Sequence, residues 1–157
     1  MILIVESGST KADWVLLDGV KTISSFQTKG WNPLFLSLEQ MMLRLKSYSE
    51  LKAVLSKILE VHFYTPGCFN PSSFNTLESS LKSFFVEAKI IIESDLCAAV
   101  RSAYRGRPLL ISIIGTGSNT AFYDGETIDQ LKPSVGYILG DEGSGASLGR
   151  LLLRSYF

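Results

Sequence analysis

Residues 1–17 read MILIVESGSTKADWVLL, in which an apolar run, a short polar turn and a second apolar run follow one another. A short and fully apolar run is usual for a strand buried inside a sheet. Gly8 lies in the turn, and the dipeptide Asp18-Gly19 is a hairpin signal after the second run. The chain is therefore predicted to open with three antiparallel strands, which cover residues 1–5, 12–17 and 21–27.

Helices and strands alternate through the rest of the chain. Apolar residues at helical spacing predict the helices, and apolar runs predict the strands. A second hairpin is predicted around Asp124-Gly125. This order predicts an α/β fold with a mixed sheet and helices on both faces. The predicted helices cover residues 37–48, 51–59, 72–85, 95–104 and the segment that follows GDEGSG to residue 157; the further strands cover residues 61–65, 89–92, 109–114, 120–123 and 127–131.

Length and composition are those of one ordinary domain with enough apolar material for a core. Of the 157 residues, 46% are hydrophobic and 19% are charged, which excludes a disordered chain. The formal net charge is +0, from 15 basic and 15 acidic residues, and no basic run stands out, so no nucleic-acid partner is expected. Cys68 and Cys97 are far apart, which predicts free thiols of a cytoplasmic protein rather than a disulfide framework or a zinc knuckle.

The two ends of the chain carry different signals. The amino terminus lacks the basic region of a signal peptide, and no apolar stretch approaches the ~20 residues of a membrane span. We therefore expect a cytoplasmic protein with no membrane partner. The last predicted helix has much apolar surface and no glycine or proline to end it. It predicts that the chain is a fragment or a truncated copy of a longer protein.

Two glycine-rich turns follow predicted strands and are candidates for binding phosphate. The first is Glu6-Ser7-Gly8-Ser9-Thr10-Lys11, and the second is Gly115-Thr116-Gly117-Ser118-Asn119. Such turns expose several backbone N–H groups to an anion. The first turn has neither the P-loop pattern nor GxGxxG. Taken alone it is also compatible with an ordinary hairpin turn, but the pair indicates that one polyphosphate is held from two sides.

Three further segments place polar side chains in loops or at helix starts. Asp95 follows a predicted strand and begins a helix whose dipole favours its ionised form, so it is either a base for phosphoryl transfer or a helix-capping acid. Asp141 and Glu142 lie between glycines in residues 140–145, GDEGSG. They are either ligands of sugar hydroxyls and hydrated magnesium or acids at a helix start. Asn32 precedes a proline and is either a sugar ligand or part of a plain loop.

Together these segments closely resemble one branch of the actin-like ATPase and sugar kinase superfamily, which has a ribonuclease H-like fold. This branch holds N-acetylglucosamine kinases and the ATPase subunits of benzoyl-CoA reductase. Its two phosphate loops are resembled by the strings VESGSTKADW and IIGTGSN. The string IIESDLCAA resembles the segment that carries the catalytic aspartate, and GWNP resembles a sugar-contacting loop. GDEGS is typical of the kinase branch. Because the motifs follow the family's order along the whole chain, the resemblance implies an actin-like ATPase domain.

The resemblance implies an ATP-dependent sugar kinase that uses Mg²⁺ and phosphorylates the 6-hydroxyl of N-acetylglucosamine or a related amino sugar. Asp95 would be the general base, and Glu6 would order magnesium through water. The implied phosphate-binding residues are Gly8, Ser9, Thr10, Lys11, Thr116 and Gly117. The implied sugar-binding residues are Asn32, Asp95, Ser118, Asn119 and Asp141.

Two departures from the family pattern bear on activity. The family usually has aspartate at the position of Glu6, and an extra methylene moves a carboxylate by more than the ~0.5 Å that such sites tolerate. Family members are also roughly twice as long, with two domains of ordinary size. Residues 1–140 would then be the amino-terminal domain, and residues 141–157 would begin the connection to a second domain that this chain lacks.

This shortfall leaves three functions open. The chain is a sugar kinase whose site is completed by a missing second domain or by a homodimer, or it is a non-catalytic sugar- or phosphate-binding module. The third possibility is an ATPase that activates a radical reductase or dehydratase, although Cys68 and Cys97 match no pattern for its iron–sulfur cluster.

Overall fold

The computed structural model describes residues 1–31, 37–66, 71–130 and 134–157. These residues form two compact units, residues 1–95 and residues 96–157. Each unit contains one β-sheet together with helices, which confirms the predicted α/β class. Within the described ranges, no helix is both long enough and apolar enough to cross a membrane.

The first unit is built on a five-stranded mixed sheet. Its strands are β1 (Ile2–Ser7), β2 (Lys11–Asp18), β3 (Lys21–Lys29), β4 (Glu60–Tyr64) and β5 (Lys89–Glu93). They lie in the order β3-β2-β1-β4-β5. β1, β2 and β3 are successively antiparallel, as predicted, whereas β1, β4 and β5 are successively parallel. The carboxyl ends of the three parallel strands therefore share one edge of the sheet.

Large aromatic side chains fill the core of this unit. Trp14, Trp31 and Phe63 are fully buried. The ring of Trp14 meets those of Trp31 and Phe63 edge-on, with ring centroids 5.8 and 6.1 Å apart. Buried aromatic pairs in this geometry contribute about 0.5–1.5 kcal/mol each beyond the burial of their area. The core therefore anchors residue 31, at the end of the segment that follows β3.

Short helices connect the strands of the first unit. They are α1 (Leu38–Ser47), α2 (Ser49–Lys52) and α3 (Pro71–Phe84). The predicted helix over residues 51–59 is wrong, because α2 ends at Lys52 and a single 3₁₀ turn follows over Leu55–Lys57. The N–H of Leu59 bonds to the carbonyl of Met1 at 2.9 Å. The chain must therefore already be extended there in order to join β1, and this pairing overrides the helical pattern.

The second unit combines a three-stranded antiparallel sheet with two further helices. Its elements are α4 (Asp95–Ala103), whose first residue is the last of the first unit, β6 (Leu109–Ile114), β7 (Ser118–Tyr123), β8 (Ile128–Asp129), α5 (Gly136–Leu139) and α6 (Gly145–Tyr156). β8 is shorter than the predicted strand 127–131, of which residue 131 lies outside the described residues. The Asp124 carboxylate accepts the backbone N–H groups of Glu126 and Thr127, which prolongs the hairpin turn. The one-turn helix α5 was not predicted.

Among the described residues of the second unit, helix packing covers one face of its sheet. Leu96 and Val100 of α4 pack against Ile111 and Ala121 on that face. The opposite face leaves Leu110 and Phe122 exposed, and α6 buries none of its side chains. The uncovered apolar side chains of α6, which we call the α6 face, are Leu148, Leu151, Leu152, Leu153 and Tyr156.

Candidate active site

Polar groups gather at the carboxyl edge of the parallel strands in the first unit. In register across this edge, Glu6 of β1 faces Tyr64 of β4, and Tyr64 faces Glu93 of β5. The N–H of Thr65 continues the pattern by bonding to the carbonyl of Glu93 at 3.0 Å. Asp95 begins α4 two residues after β5 ends. Because ligands of open α/β sheets bind beyond the carboxyl ends of the strands, this edge is the candidate site of the first unit.

The first glycine turn leaves β1 at this same edge. It is closed by a hydrogen bond from the N–H of Gly8 to the carbonyl of Lys11, at 2.9 Å. Ser9 and Thr10 are exposed at its tip. The turn therefore presents the short polar segment that the sequence predicted for phosphate binding.

The segment that follows β3 is hydrogen-bonded to this turn through the backbone N–H groups of Gly30 and Trp31. The N–H of Gly30 donates to the carbonyl of Thr10 at 2.9 Å, and the N–H of Trp31 donates to Oγ of the buried Ser7 at 2.7 Å. A Cβ atom at residue 30 would lie only 2.2 Å from the carbonyl oxygen of Gly8. Residue 30 must therefore be glycine for the two backbone segments to approach so closely.

The carbonyl groups of residues 30 and 31 are also engaged. Arg44 Nη1 donates to the carbonyl of Gly30 at 3.1 Å, and the buried Thr65 hydroxyl donates to that of Trp31 at 3.0 Å. These contacts fix the backbone immediately before Asn32. Asn32 itself lies outside the described residues, so its proposed sugar contact stays a prediction.

The carboxylates of the first unit have different electrostatic surroundings. Partial burial and the negative charges of Asp13 and Asp95 raise the pKa of Glu6, and Lys11 partly opposes this shift. Asp13 is held ionised instead, because Lys11 lies 3.0 Å from one of its oxygens and Gln27 donates to the other at 2.5 Å. These two hydrogen bonds lower the pKa of Asp13. Asp95 is therefore close enough to Glu6 for the two charges to repel.

The carboxylates at this acidic edge are compatible with a magnesium ion that keeps most of its waters. In the described parts of the chain, no group of three or more histidine, cysteine, aspartate or glutamate side chains is placed to hold a metal ion directly. The repulsion between Glu6 and its acidic neighbours favours a nearby cation. Magnesium in such sites keeps several waters and takes few protein ligands. The residues present are thus compatible with the predicted water-mediated role of Glu6.

The second glycine turn, residues 115–119 of the second unit, is hydrogen-bonded to the start of α6. The N–H groups of Gly145 and Ala146 donate to the carbonyls of Gly115 and Thr116, at 2.8 and 3.2 Å. The next N–H, of Ser147, is capped by the buried hydroxyl of Ser144 at 3.1 Å. The first N–H groups of α6 are therefore occupied by the protein itself, and they hold the turn in place.

Asp141 braces the other side of this turn. Its Oδ1 accepts the backbone N–H of Ser118 at 3.1 Å. A Cβ atom on residue 117 would lie 2.9 Å from Oδ2 of Asp141, so a larger residue there would require the Asp141 carboxylate to shift. One oxygen of the predicted sugar ligand Asp141 is thus already bonded to the turn. Among the other predicted residues, Thr116 is exposed, and Ser118 and Asn119 are half-buried.

A cleft of about 630 Å³ opens beside Asp141 within the second unit. Its polar side is lined by Ser118, Asn119 and Asp141, and its apolar side includes Phe122 and Leu139. The cleft is large enough for a sugar-sized ligand by the usual range of ligand pockets, ~300–1,000 Å³. The structure therefore brings three of the predicted sugar-binding residues to one cavity.

No positioning role is assigned from the sequence to four residues that hold the loops in the structure. Ser7 and Gly30 hold the first turn, and Ser144 and Arg150 lie behind the second. The signal for Ser7 is a polar residue that ends an apolar strand, but its partner is 24 residues away. Local patterns do not contain such pairings.

Comparison with solved structures establishes the relationship. Over 99% of its length, the chain matches a proposed N-acetylglucosamine kinase from Porphyromonas gingivalis, with a TM-score of 0.88 and 39% sequence identity. The ethanolamine utilization protein EutJ from Carboxydothermus hydrogenoformans and the ROK hexokinase from Thermus thermophilus match with TM-scores of 0.64 and 0.62. Their identities of 16% and 15% show a shared fold alone. No family model matches the chain, and no curated protein matches its sequence.

The chain spans a little more than half the length of these solved relatives. It covers 56% of the Porphyromonas and Carboxydothermus proteins and 64% of the Thermus hexokinase. Fold and neighbours define the class as the actin-like ATPase and sugar kinase superfamily. Within it, the chain is similar to the proposed N-acetylglucosamine kinase from Porphyromonas gingivalis.

Proposed function

We propose that the chain is the amino-terminal part of an ATP-dependent sugar kinase that phosphorylates N-acetylglucosamine or a related amino sugar at the 6-hydroxyl. The observation that carries this proposal is the position of Asp95, at the carboxyl edge of the parallel strands and within electrostatic reach of Glu6. The kinship with the Porphyromonas protein, itself a proposed N-acetylglucosamine kinase, supports the choice of sugar. Since ATP is the phosphoryl donor, we expect the protein in the cytoplasm.

In this proposal, Asp95 accepts the proton of the attacking sugar hydroxyl. The dipole of a helix favours negative charge at its start, and an ionised carboxylate there can act as a base. In phosphoryl transfer most of the acceleration comes from positioning and from charge neutralisation, and the base orients the nucleophile. For this role, the position of the Asp95 carboxylate relative to the sugar hydroxyl matters more than its strength as a base.

The two glycine turns are proposed, each by itself, as binding sites for phosphate groups of ATP. The first contributes Gly8, Ser9, Thr10 and Lys11, and the second contributes Thr116 and Gly117. Their rigid backbones support this role, because donors held in place lose little entropy on binding an anion. Mg²⁺ bound to ATP would neutralise charge on the phosphates, and Glu6 would hold its hydration shell.

The amino sugar is proposed to contact Asn32, Asp95, Ser118, Asn119 and Asp141. Ser118 and Asn119 line the cleft of the second unit together with Asp141. An asparagine side chain both donates and accepts hydrogen bonds, as a sugar hydroxyl requires. The apolar side of the cleft is suited to the less polar face of a sugar ring.

We also propose that a further domain or a second copy of the chain completes the nucleotide site. The chain covers only 56% of its Porphyromonas relative, and the α6 face is apolar and uncovered. Residues 1–140 would be the domain proper, and residues 141–157 the start of a connection. Exposed apolar surfaces of this kind are typical of protein interfaces.

The direct test is the release of ADP by the chain with ATP, Mg²⁺ and N-acetylglucosamine, compared with an Asp95→Asn variant. General-base catalysis contributes about 10²–10⁴-fold, so we expect a loss of at least about 100-fold. Asp18→Asn is the matched control, because this exposed aspartate lies at the opposite end of β2 from the first turn. ADP release that does not depend on the sugar, or equal rates for both variants, would contradict the proposal.

A second candidate is a module that binds sugar or phosphate without turnover. The short length relative to the solved relatives favours it, as does the glutamate at residue 6. Calorimetry with N-acetylglucosamine measures binding apart from turnover, because sugar binding without any ADP release excludes catalysis by this chain alone. Iron in the purified protein would instead indicate the ATPase activator of a radical reductase.

A further inference from the structure

Arg150 of α6 donates hydrogen bonds to three carbonyl groups of one short segment. Its Nη1 atom donates to the carbonyls of Tyr137 and Ile138, the latter at 3.1 Å, and Nη2 donates to that of Gly140 at 3.1 Å. These carbonyls lie at the carboxyl end of α5, where a helix leaves carbonyl groups without partners in the helix. Arginine side chains commonly satisfy such groups.

Little else fixes this segment by packing. None of the side chains of α5 is buried, and Tyr137, Ile138 and Leu139 are 64%, 70% and 77% exposed. A one-turn helix has almost no stability of its own, because nucleation is unfavourable. The guanidinium group of Arg150 is therefore the main described anchor of residues 137–140.

The anchored segment leads directly into Asp141. Asp141 has a φ of +61° and is the only residue other than glycine with a positive φ in the described parts of the chain. This left-handed conformation is unfavourable for a residue with a side chain, and aspartate tolerates it better than most. It persists here while the carboxylate of Asp141 accepts the N–H of Ser118.

The contacts form a closed ring. From the start of α6, the N–H groups of Gly145 and Ala146 hold the second glycine turn. From the middle of the same helix, Arg150 holds the segment that ends at Gly140. The ring closes where the next residue, Asp141, bonds to Ser118 at the end of that turn.

We propose that Arg150 is a positioning residue, which acts through Asp141 to fix the second glycine turn and the Ser118 N–H. Any effect of Arg150 on phosphate or sugar binding rests on the proposed function. The effect of Arg150 on the position of Asp141 and of the second glycine turn does not depend on that function. Lysine cannot replace it fully, because one ammonium group cannot reproduce a planar guanidinium that reaches three carbonyls.

The test measures amide hydrogen exchange of Ser118 and Gly140 by NMR in the full 157-residue chain. We expect Arg150→Met to speed exchange at Ser118 about tenfold, and Arg150→Lys about threefold, because the charge-assisted hydrogen bonds of Arg150 are lost and relaxation of the segment recovers part of their contribution. Arg154→Met is the matched control. It removes the same charge one turn later, at an exposed residue of the same helix.

A double variant distinguishes action through Asp141 from general loosening. If Arg150 acts through Asp141, adding Arg150→Met to Asp141→Gly leaves Ser118 exchange within about twofold of that of Asp141→Gly alone. Additive effects would overturn the proposal, as would an Arg150→Met rate within twofold of the wild type or an equal response to Arg154→Met. Should Arg150→Met not fold, Arg150→Lys carries the same comparison.

A separate measurement of ligand binding distinguishes a failure of the proposed role of Arg150 from a failure of the proposed function. Calorimetry with ATP and with N-acetylglucosamine on the same proteins is expected to show weaker binding in Arg150→Met than in Arg154→Met. If the wild type binds neither ligand, the proposed function fails, while the exchange rates at Ser118 still decide the role of Arg150.

Discussion

Replacing Gly30 by alanine tests how rigidly the first glycine turn is held. An ideal Cβ atom at residue 30 lies 2.2 Å from the carbonyl oxygen of Gly8, and 2.6 and 2.7 Å from the carbonyl carbon and oxygen of Ser9. All three are backbone atoms, which cannot rotate away as the end of a side chain can. The turn or the segment after β3 must therefore move by about 1 Å to restore ordinary contact.

The expected loss of stability follows from two contributions. Overpacking of a well-packed site costs about 1–3 kcal/mol. The same movement lengthens the bonds from Gly30 N–H to Thr10 and from Trp31 N–H to Ser7, and each such bond is worth about 1 kcal/mol. We therefore expect Gly30→Ala to lower the free energy of unfolding of the first unit by about 2–4 kcal/mol.

Urea unfolding followed by tryptophan fluorescence measures this loss. Trp14 and Trp31 are the only two tryptophans of the chain, and both are buried in the first unit. Gly8→Ala is the matched control in the same turn, because its Cβ atom would lie 3.6 Å from the carbonyl of Lys11, an ordinary contact. We expect the control to stay within about 0.5 kcal/mol of the wild type. Equal losses in both variants, or none in Gly30→Ala, would refute the reasoning.

Two further predictions concern charge and surface. Because burial, Asp13 and Asp95 raise the pKa of Glu6, the folded state binds its proton more tightly than the unfolded state does, and stability is lost as pH rises from the ordinary value of 4.5 through the raised pKa. Glu6→Gln should therefore stabilise the first unit at pH 7 and have no effect near pH 3 in urea titrations; an effect that is the same at both pH values would contradict this. Replacing Leu148 and Leu152 on the α6 face by lysine should reduce self-association, so that light scattering gives the 17.3 kDa monomer at concentrations where the wild type is larger. A monomeric wild type under the same conditions would show that the α6 face does not drive self-association.

Much of the fold could be predicted because its signals are local. The run LLISII predicts a strand over residues 109–114, and β6 has these bounds. Asp18-Gly19 predicts the hairpin that joins β2 and β3, where Gly19 adopts a φ of +58°. In both cases, neighbouring residues alone determine the backbone conformation, so no information about distant partners is needed.

The failures come from contacts between distant parts of the chain. Residues 51–59 have helical spacing, and Leu51 and Ile58 are indeed buried, but the bond from Leu59 to Met1 requires an extended chain. The helix α5 has no apolar pattern to predict it, because Arg150 holds it through backbone carbonyls. Backbone groups are the same at every residue, so the sequence carries no mark of such an anchor.

The sequence indicates candidate site residues, whose roles stay predictions, but it does not indicate the residues that hold the surrounding loops. Asp95 and Glu6 were both identified from the sequence, and the charge of Asp95 acts on Glu6 in the structure. The glycine at residue 30 was noted only as part of the loop before Asn32. Its close approach to Gly8 could not be foreseen, because 22 residues separate the two positions and a missing Cβ atom gives no signal of what lies next to it.

The division of the chain after residue 95 has a consequence for its synthesis. All strand pairings of the five-stranded sheet lie within residues 1–95, so no strand that is made later is needed to complete it. At about 5–20 residues per second, the remaining ~60 residues take roughly 3–12 s to translate. The half that carries Asp95 can therefore fold on the ribosome before the exposed apolar side chains of α6 have been made.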